Sequence, residues 1–249
     1  MIDWEACLAQ TKPLRLSGQL LRLVESQEQV ATNQLVSSLD RQAVLEDLLE
    51  ATKPRLRPGT ERLDYLLATP FRYPPLKHGS RFGTRNAPSL FYGALKTGTV
   101  LAEAAYYRYL FWYGMVTPPV GKLDTQHTLF GAAYRTDQGL QLQAAPFAAH
   151  QDVLSSPLDY GASQTLGASM RAAGIEAFEY VSARDPDGGI NVALYTPHAL
   201  KGSKPVFQEA WLCELTGERV SFHAAHSRAL HTFPIDLFLI AGKLPQAAN

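Results

Sequence analysis

The spacing of apolar residues predicts a helical N-terminal part. Residues 20–52 are rich in helix formers, and their apolar positions recur at the three- and four-residue intervals that place side chains on one face of a helix. The positions on this stripe are Leu35, Val36, Leu39, Ala43, Leu45, Leu48 and Leu49. Pro54 and the Pro58-Gly59 pair would end such a helix. We therefore expect an N-terminal helical extension over residues 1–60 and one domain over residues 61–249.

After residue 60 the pattern changes to short apolar segments separated by turn residues, which is typical of strands. A helix is predicted over residues 100–113, starting from Thr97-Gly98-Thr99 with Glu103 in its first turn, and another over residues 165–173. The chain is thus expected to be an α+β protein with a mixed or antiparallel sheet. The predicted strands cover residues 69–73, 89–92, 128–134, 140–143, 177–181, 191–195, 209–215, 219–222 and 234–241.

Composition narrows the possible partners. The 23 basic and 23 acidic residues give a formal net charge of zero, which does not favour a nucleic-acid or membrane-surface binder. The two cysteines, Cys7 and Cys213, are far apart and predict neither a disulfide framework nor a zinc site. The sequence shows no export signal and no apolar stretch long enough to span a membrane, so a cytoplasmic protein is expected.

Two short segments carry candidate chemistry. The first is Gly79-Ser80-Arg81-Phe82-Gly83, followed by Tyr92 and Glu103 at successive intervals of eleven residues. An arginine on a turn, a tyrosine closing a strand and a glutamate opening a helix can converge on one cleft. The second segment is Tyr180-Val181-Ser182-Ala183-Arg184 at the end of a predicted strand, with Asn191 at the start of the next strand.

The order of these segments resembles that of RES-domain proteins, with a match over roughly residues 66–200 and a helical part in front that is similar to the extension of a longer subgroup. The resemblance implies an ADP-ribosyltransferase-like fold, in which helices flank a split, mixed or antiparallel sheet. It also implies the toxin of a toxin-antitoxin pair, with an Xre-like antitoxin as partner. The implied reaction cleaves the nicotinamide-ribose bond of NAD, either by hydrolysis or by transfer of ADP-ribose to a target protein.

The resemblance also implies roles for individual residues. Cleavage of the glycosidic bond passes through an oxocarbenium-like state, which the carboxylate of Glu103 would stabilise. Arg81 and a second arginine would bind the pyrophosphate; we favour Arg72, on the predicted strand 69–73, and keep Arg22 as the alternative. Tyr92 would stack on nicotinamide or hold a ribose hydroxyl, and it completes the catalytic set with Arg81 and Glu103.

Ser182 and Asn191 are expected to support the same site. Ser182 would donate a hydrogen bond to the nicotinamide carboxamide or to Glu103. Asn191 would support these contacts from the next strand. Nicotinamide leaves as a neutral group, so no metal is expected. A metal cluster formed by His223, His226 and His231 is the weaker alternative, because their spacing is not specific.

Other functions stay open at this point. The chain could be a catalytically silent RES-like module that binds a nucleotide or a regulatory partner, or a purely structural interaction protein. Without the family pattern, Glu103 is explained as a carboxylate that interacts favourably with the helix dipole. Tyr92 is then explained as a half-buried aromatic residue of a strand. The aromatic run over residues 106–113 is expected to form core or a partner interface, and no direct contact with nucleic acid or membrane is predicted.

Overall fold

A computed structural model describes residues 2–26 and 38–246 of the chain. Within these ranges the protein has six α-helices and eight strands. The helices are α1 (Trp4–Ala9), α2 (Leu39–Thr52), α3 (Tyr65–Arg72), α4 (Thr97–Gly114), α5 (Gln151–Leu154) and α6 (Gly161–Ala172). The strands are β1 (Leu14–Glu25), β2 (Phe91–Ala94), β3 (Leu123–Gln141), β4 (Ala177–Val181), β5 (Ile190–Leu194), β6 (Phe207–Leu215), β7 (Arg219–Ala224) and β8 (Leu230–Pro234).

The eight strands form one mixed sheet that divides at the long strand β3. Their order is β1-β2-β5-β4-β3-β6-β7-β8, and β1 also pairs with β3. The last three residues of β3 run parallel to β4, whereas its first nine residues run antiparallel to β6. Strands β1, β2, β5, β4 and β3 therefore close a ring, from which β6, β7 and β8 extend as a second part of the sheet. The expected α+β fold with a split, mixed sheet is confirmed.

Helix α4 positions the two parts of the sheet relative to each other. Tyr106, Tyr109 and Trp112 lie on its buried side and pack in a core with residues of β6, β7 and β8. Tyr107, Phe111 and Tyr113 on the other side are about half exposed. The aromatic run thus contributes core on one helical face, as expected, and leaves three large rings at the surface.

Several predicted elements are confirmed. The helix expected over residues 100–113 is α4, the helix expected over 165–173 is α6, and Gly174 follows it with a positive φ of 76°. Strand β4 has the predicted bounds, and β2, β5, β6 and β7 differ from the predicted strands by at most two residues at each end. Periodicity and turn residues are sufficient to predict these elements, because each segment either buries one face or ends at a clear turn residue.

The helix predicted over residues 20–52 is only partly correct. Residues 39–52 form α2, but residues 20–25 belong to β1, and Leu35 and Val36 lie outside the described residues. Strand β1 pairs with β3 from Leu14 to Glu25, so tertiary pairing outweighs the helix propensity of the leucines and arginines. The division at residue 60 stays a prediction, but the segment before it is not purely helical, since β1 belongs to the sheet.

Three further expectations were wrong. Residues 69–72 of the strand predicted over 69–73 fall in helix α3, because Asp64 accepts a hydrogen bond from the amide of Leu66 and so caps the start of a helix. The two strands predicted within residues 128–143 are one strand, β3, whose pairing with β1 runs through Gly139. Pro234 ends β8 rather than beginning a strand, since proline cannot donate to a sheet.

Candidate functional site

A cavity of about 330 Å³ lies where β1, β2, β4, β5 and α4 meet. Gly93 of β2 forms part of its wall, and a Cβ atom at this position would come within 2.6 Å of the carbonyl oxygen of Leu21 on β1. Only glycine therefore allows β2 to approach β1 this closely. The side chains that carry chemistry around the cavity are Arg22, Ser80, Arg81, Tyr92, Glu103, Tyr107, Tyr160, Tyr180 and Asn191.

The carboxylate of Glu103 is held by two donors from neighbouring strand ends. Ser182 Oγ donates to Glu103 Oε1 over 2.6 Å, and Asn191 Nδ2 donates to the same oxygen over 2.7 Å. Both donors are almost fully buried, whereas Glu103 is half-buried and faces the cavity. Among the described residues, none donates to Oε2. One carboxylate oxygen is thus held in place and the other is left for a ligand.

Two accepted hydrogen bonds orient the hydroxyl of Ser182, so that its single proton is donated to Glu103. Its Oγ accepts hydrogen bonds from the amides of Arg184 and Asp185, over 3.1 and 3.0 Å. Asp185 in turn accepts a 2.7 Å hydrogen bond from Thr99 Oγ1 in the first turn of α4. The loop after β4 is therefore tied to the helix that carries Glu103, so serine and glutamate keep a fixed relative position.

The structure corrects the expected position of Glu103 on its helix. Because α4 begins at Thr97, Glu103 is its seventh residue and lies in the second turn. The dipole effect of a helix is strongest in the first turn, so the ordinary explanation of this carboxylate as a dipole partner is weakened. Its two buried donors account for its orientation better.

Arg81 lies on a turn that the rest of the fold holds tightly. Gly79 has a φ of 75°, which favours glycine, and Ser80 and Gly83 exchange backbone hydrogen bonds. The ring of Phe82 packs against Phe178 and Tyr180 with centroid distances of 4.7 and 4.8 Å. Helix α6 fixes the backbone of the turn through Ser163 and Gln164, which donate to its carbonyl oxygens.

The guanidinium group of Arg81 is anchored to the protein through one of its three nitrogens. Its Nη1 donates to the carbonyl oxygens of Leu154 and Ser156, over 3.2 and 2.8 Å. The group also lies 4.5 Å from the centroid of the Tyr160 ring, and the residue is only 9% exposed. Arg81 lines the cavity, but its main contacts join the turn to the segment that follows α5.

Tyr92 also combines a cavity position with a structural contact. Its hydroxyl forms a 2.9 Å hydrogen bond with Ser80 Oγ and accepts one from the amide of Phe82 over 3.2 Å. Burial raises the pKa of the phenol, although these two hydrogen bonds act in the opposite direction. Tyr92 therefore stays protonated at neutral pH and links β2 to the turn that carries Arg81.

Arg22 is the second arginine at the cavity. It projects from β1, and its Nη1 donates to the carbonyl oxygen of Tyr92 over 2.7 Å. Its Nε is buried and has no hydrogen-bond partner within residues 2–26 and 38–246. Burial lowers the pKa of this arginine to about 10, with a smaller opposing effect of Tyr107, so the group remains charged at neutral pH. A buried cation with an unused donor is suited to an anionic ligand.

Arg72, the arginine that we favoured from the sequence, lies elsewhere. It is the last residue of helix α3, where Nη1 contacts Glu50 Oε1 over 2.6 Å and Nε donates to the carbonyl oxygen of Pro54. These contacts join α3 to the end of α2, and Arg72 does not line the cavity. The structure thus brings Arg22, Arg81, Tyr92, Glu103, Ser182 and Asn191 together and leaves Arg72 outside this group.

Sequence reasoning missed three cavity residues, Tyr107, Tyr160 and Tyr180. Tyr107 follows Glu103 by one helical turn, so the periodicity of α4 was a sufficient signal for it. Tyr180 is part of the segment that carries the resemblance, and burial raises the pKa of its phenol. No pattern in the sequence indicates Tyr160, because its position depends on the ring contact with Arg81.

A second cavity of about 590 Å³ adjoins the first. The two cavities share Arg22 and Leu23, and the second is also lined by Glu25, Asp64 and Tyr65. Arg22 therefore stands at the junction, with carboxylates and an aromatic ring on the side away from Glu103. We call these two spaces the Glu103 cavity and the Asp64 cavity.

Residues 2–26 and 38–246 contain neither a metal-binding cluster nor a membrane-spanning helix. In this part of the chain no group of three or more histidine, cysteine, aspartate or glutamate side chains is arranged to hold a metal ion. His231, one of the three histidines considered above, instead lies 5.9 Å from the ring centroid of Trp211. None of the helices described combines the length and the apolar character that crossing a membrane requires.

The fold and the cavity define an α+β protein with a split mixed sheet, in which one oriented carboxylate, two guanidinium groups and four tyrosines surround a single cavity. A comparison with protein-family models gives a match to the RES domain over residues 55–216. The chain belongs to the RES-domain family, and the resemblance noted from its motifs is confirmed. A toxin-like module related to NAD is the general class that this membership supports. No curated protein matches the chain.

Proposed function

We propose that this protein cleaves the bond between nicotinamide and ribose in NAD and acts as the toxin of a toxin-antitoxin pair. The observation that carries the proposal is the geometry of Glu103, which lines the cavity: its Oε1 is held by Ser182 and Asn191, and its Oε2 accepts no hydrogen bond from the described residues. Membership of the RES-domain family supports the same reaction.

The cleavage step uses this carboxylate as an electrostatic partner. As the glycosidic bond breaks, its electron pair goes to the nicotinamide nitrogen, which becomes neutral, and the ribose carbon becomes electron-deficient. Glu103 stabilises this oxocarbenium-like state because its negative charge is oriented before the reaction begins. Water, or a side chain of a target protein, then forms the new bond to the ribose carbon and releases a proton.

The two cavities suggest how the dinucleotide is placed. The Glu103 cavity, at about 330 Å³, is near the lower end of the range of roughly 300–1,000 Å³ for ligand pockets, so it suits the nicotinamide riboside half alone. Arg22 then meets the pyrophosphate at the junction, where its unpartnered Nε gains an acceptor. The adenosine half extends into the Asp64 cavity, whose carboxylates can accept hydrogen bonds from ribose hydroxyls.

This placement changes the roles expected from the motif. Arg22 replaces Arg72 as the second pyrophosphate-binding arginine, because Arg22 alone of the two reaches the cavity. Arg81 shapes the wall of the cavity and adds positive charge to it. The aromatic groups of Tyr92, Tyr107 and Tyr180 surround the position of nicotinamide.

Expression in bacterial cells tests the proposed function. We expect induction of the wild-type chain to deplete intracellular NAD and stop growth, and the Glu103→Gln variant to do neither at the same protein level. A small helix-turn-helix protein encoded next to this gene should restore growth if it is the Xre-like antitoxin. Growth arrest without loss of NAD would contradict the proposed activity, unless ADP-ribose appears on a cellular protein.

The catalytically silent module is the second candidate, since the Glu103 cavity could bind a nucleotide without cleaving it. In that case NAD should raise the unfolding temperature of the purified protein and remain intact, and wild type and Glu103→Gln should have the same effect on growth. If neither NAD nor ADP-ribose shifts the unfolding temperature, a structural interaction protein becomes the better explanation.

A further inference from the structure

The zero net charge of the chain conceals a strong local separation of charge. Residues 53–96 contain nine of the 23 lysine and arginine residues but only two of the 23 acidic residues. Helix α2, directly before this segment, contains four acidic residues and one arginine. Consecutive segments of the chain therefore have opposite net charge.

One side of α2 is acidic and apolar, and it faces solvent. Asp40 and Asp47 are exposed, and the neighbouring Val44 and Leu48 are 59% and 61% exposed. These four positions follow the three- and four-residue spacing that places them on one helical face. We call this set the α2 face. Branched apolar side chains that are exposed beside carboxylates are unusual on a helix face that contacts only water.

The segment after α2 presents the complementary surface. Arg55, Lys77 and Arg85 are exposed there, together with Leu56 and Leu76, which are 42% and 63% exposed. We call these five residues the basic surface.

Hydrogen bonds from side chains to the backbone tie the segments that carry the basic surface to the rest of the fold. The segment that carries Leu56 is joined to α3 by the hydrogen bond from Arg72 Nε to the carbonyl oxygen of Pro54, and to the loop before β2 by Arg57, which donates to the carbonyl oxygen of Ser89 over 3.2 Å. Ser89 Oγ also donates to the carbonyl oxygen of Tyr73, close to Leu76 in the chain. The basic surface therefore moves with the body of the protein.

We propose that the protein forms a two-fold symmetric dimer in which the α2 face of each copy docks on the basic surface of the other. Both surfaces lie on the same molecule, in segments that follow each other in the chain, so a two-fold symmetric dimer contains the contact twice and doubles the buried area. Asp40 and Asp47 meet Arg55, Lys77 and Arg85, while Val44 and Leu48 meet Leu56 and Leu76. The neutral net charge means that no long-range repulsion opposes association.

A second copy fits these observations better than nucleic acid does, because the basic surface includes exposed leucines and because its acidic counterpart is present on the same chain. The salt bridges from Glu50 to Arg72 and Lys53, at 2.6 and 2.8 Å, fix the end of α2 relative to the basic surface. Helix α2 is thus held in position before the two copies associate, which lowers the entropic cost of association.

Paired charge reversals test the dimer. One variant carries Asp40→Lys and Asp47→Lys, and the other carries Arg55→Glu and Lys77→Glu. By light scattering after gel filtration, we expect wild type to have twice the monomer mass of 27.4 kDa and each variant to be monomeric. An equimolar mixture of the two variants should regain the dimer mass, because each reversed surface then meets its complement.

The control variant carries Arg228→Glu and Asp236→Lys, which are exposed near β8, and it should remain a dimer. All substituted positions are exposed, so circular dichroism should show the same fold in every variant. A wild-type chain that is monomeric throughout a concentration series overturns the proposal, as does a dimer that survives both reversals. Binding of single-stranded DNA by a monomeric wild type would assign the basic surface to nucleic acid instead.

Discussion

The two sides of the Glu103 cavity use an arginine in different ways. On the side of the turn at residues 79–83, Arg81 is stacked on Tyr160, and its Nη1 donates to two carbonyl oxygens that join neighbouring loops. On the side of β1, Arg22 lies over the ring of Phe91 and has one backbone acceptor, and its buried Nε has no partner among the described residues. A position in a family motif therefore does not show whether a guanidinium group stabilises the fold or is available to a ligand.

The carboxylate between these two sides should give the largest effect. Glu103→Gln keeps the shape of the side chain but removes the charge that stabilises an electron-deficient ribose carbon, so we expect kcat to fall by on the order of 10²–10³-fold. The affinity for NAD should change little. Initial rates of NAD cleavage together with a binding titration check this prediction, and unchanged kcat would show that Glu103 is not the stabilising group.

Arg81→Met tests the structural side of the comparison. Loss of the guanidinium group leaves the carbonyl oxygens of Leu154 and Ser156 without their donor, and we expect the free energy of unfolding to fall by about 2–4 kcal/mol. Urea denaturation of the free protein measures this effect. If Arg81→Met binds NAD poorly but unfolds like wild type, the assignment of Arg81 to the fold is incorrect.

Arg22→Met tests the ligand-binding side. Loss of the guanidinium group leaves the carbonyl oxygen of Tyr92 without its donor, but it also removes a buried Nε that has no partner in the described part of the chain. We therefore expect a smaller loss of stability than in Arg81→Met, and a loss of NAD affinity of about 10–100-fold, which corresponds to a lost hydrogen bond to a charged group. Isothermal titration with ADP-ribose, which retains the pyrophosphate, measures the loss without turnover.

Arg72→Met is the matched control for Arg22→Met, since Arg72 contacts Glu50 and Pro54 outside the cavity. It should bind ADP-ribose like wild type. The opposite pattern, in which Arg72→Met weakens binding and Arg22→Met does not, would restore the expectation drawn from the sequence and remove the distinction between the two sides.

Ser182→Ala should have the smallest effect of this series. The substitution removes one of two donors to Glu103 Oε1, and Asn191 still holds the same oxygen, so we expect kcat to fall by about tenfold with NAD affinity unchanged. Asn191→Ala should behave in the same way. Steady-state kinetics separate the two parameters, and a Ser182→Ala variant that loses affinity at full kcat would place Ser182 on the substrate rather than on the carboxylate.

The sequence indicates several residues that the structure brings together at the Glu103 cavity, and part of the fold, for identifiable reasons. Arg81, Tyr92, Glu103, Ser182 and Asn191 were recognised because they lie in short segments with a fixed order along the chain. Their convergence was predictable because strand ends and a following helix meet at one edge of a sheet.

The choice between Arg22 and Arg72 depended on secondary structure that local patterns did not reveal. Leucines and arginines favour a helix, so the local pattern does not indicate β1. This strand forms because it pairs with β3. Conversely, aromatic and threonine residues at 69–73 indicated a strand, while the cap at Asp64 starts a helix there. Tertiary pairing in the first case and a single capping residue in the second reversed the local preference.

The most direct measurement is the release of nicotinamide from NAD by the purified chain, followed by chromatography. The proposed function predicts nicotinamide at a rate proportional to protein concentration, with an equal amount of ADP-ribose either free in solution or bound to a protein, and loss of this product with Glu103→Gln. Intact NAD after prolonged incubation with a folded protein, both alone and with a cell lysate as a source of acceptors, would contradict it.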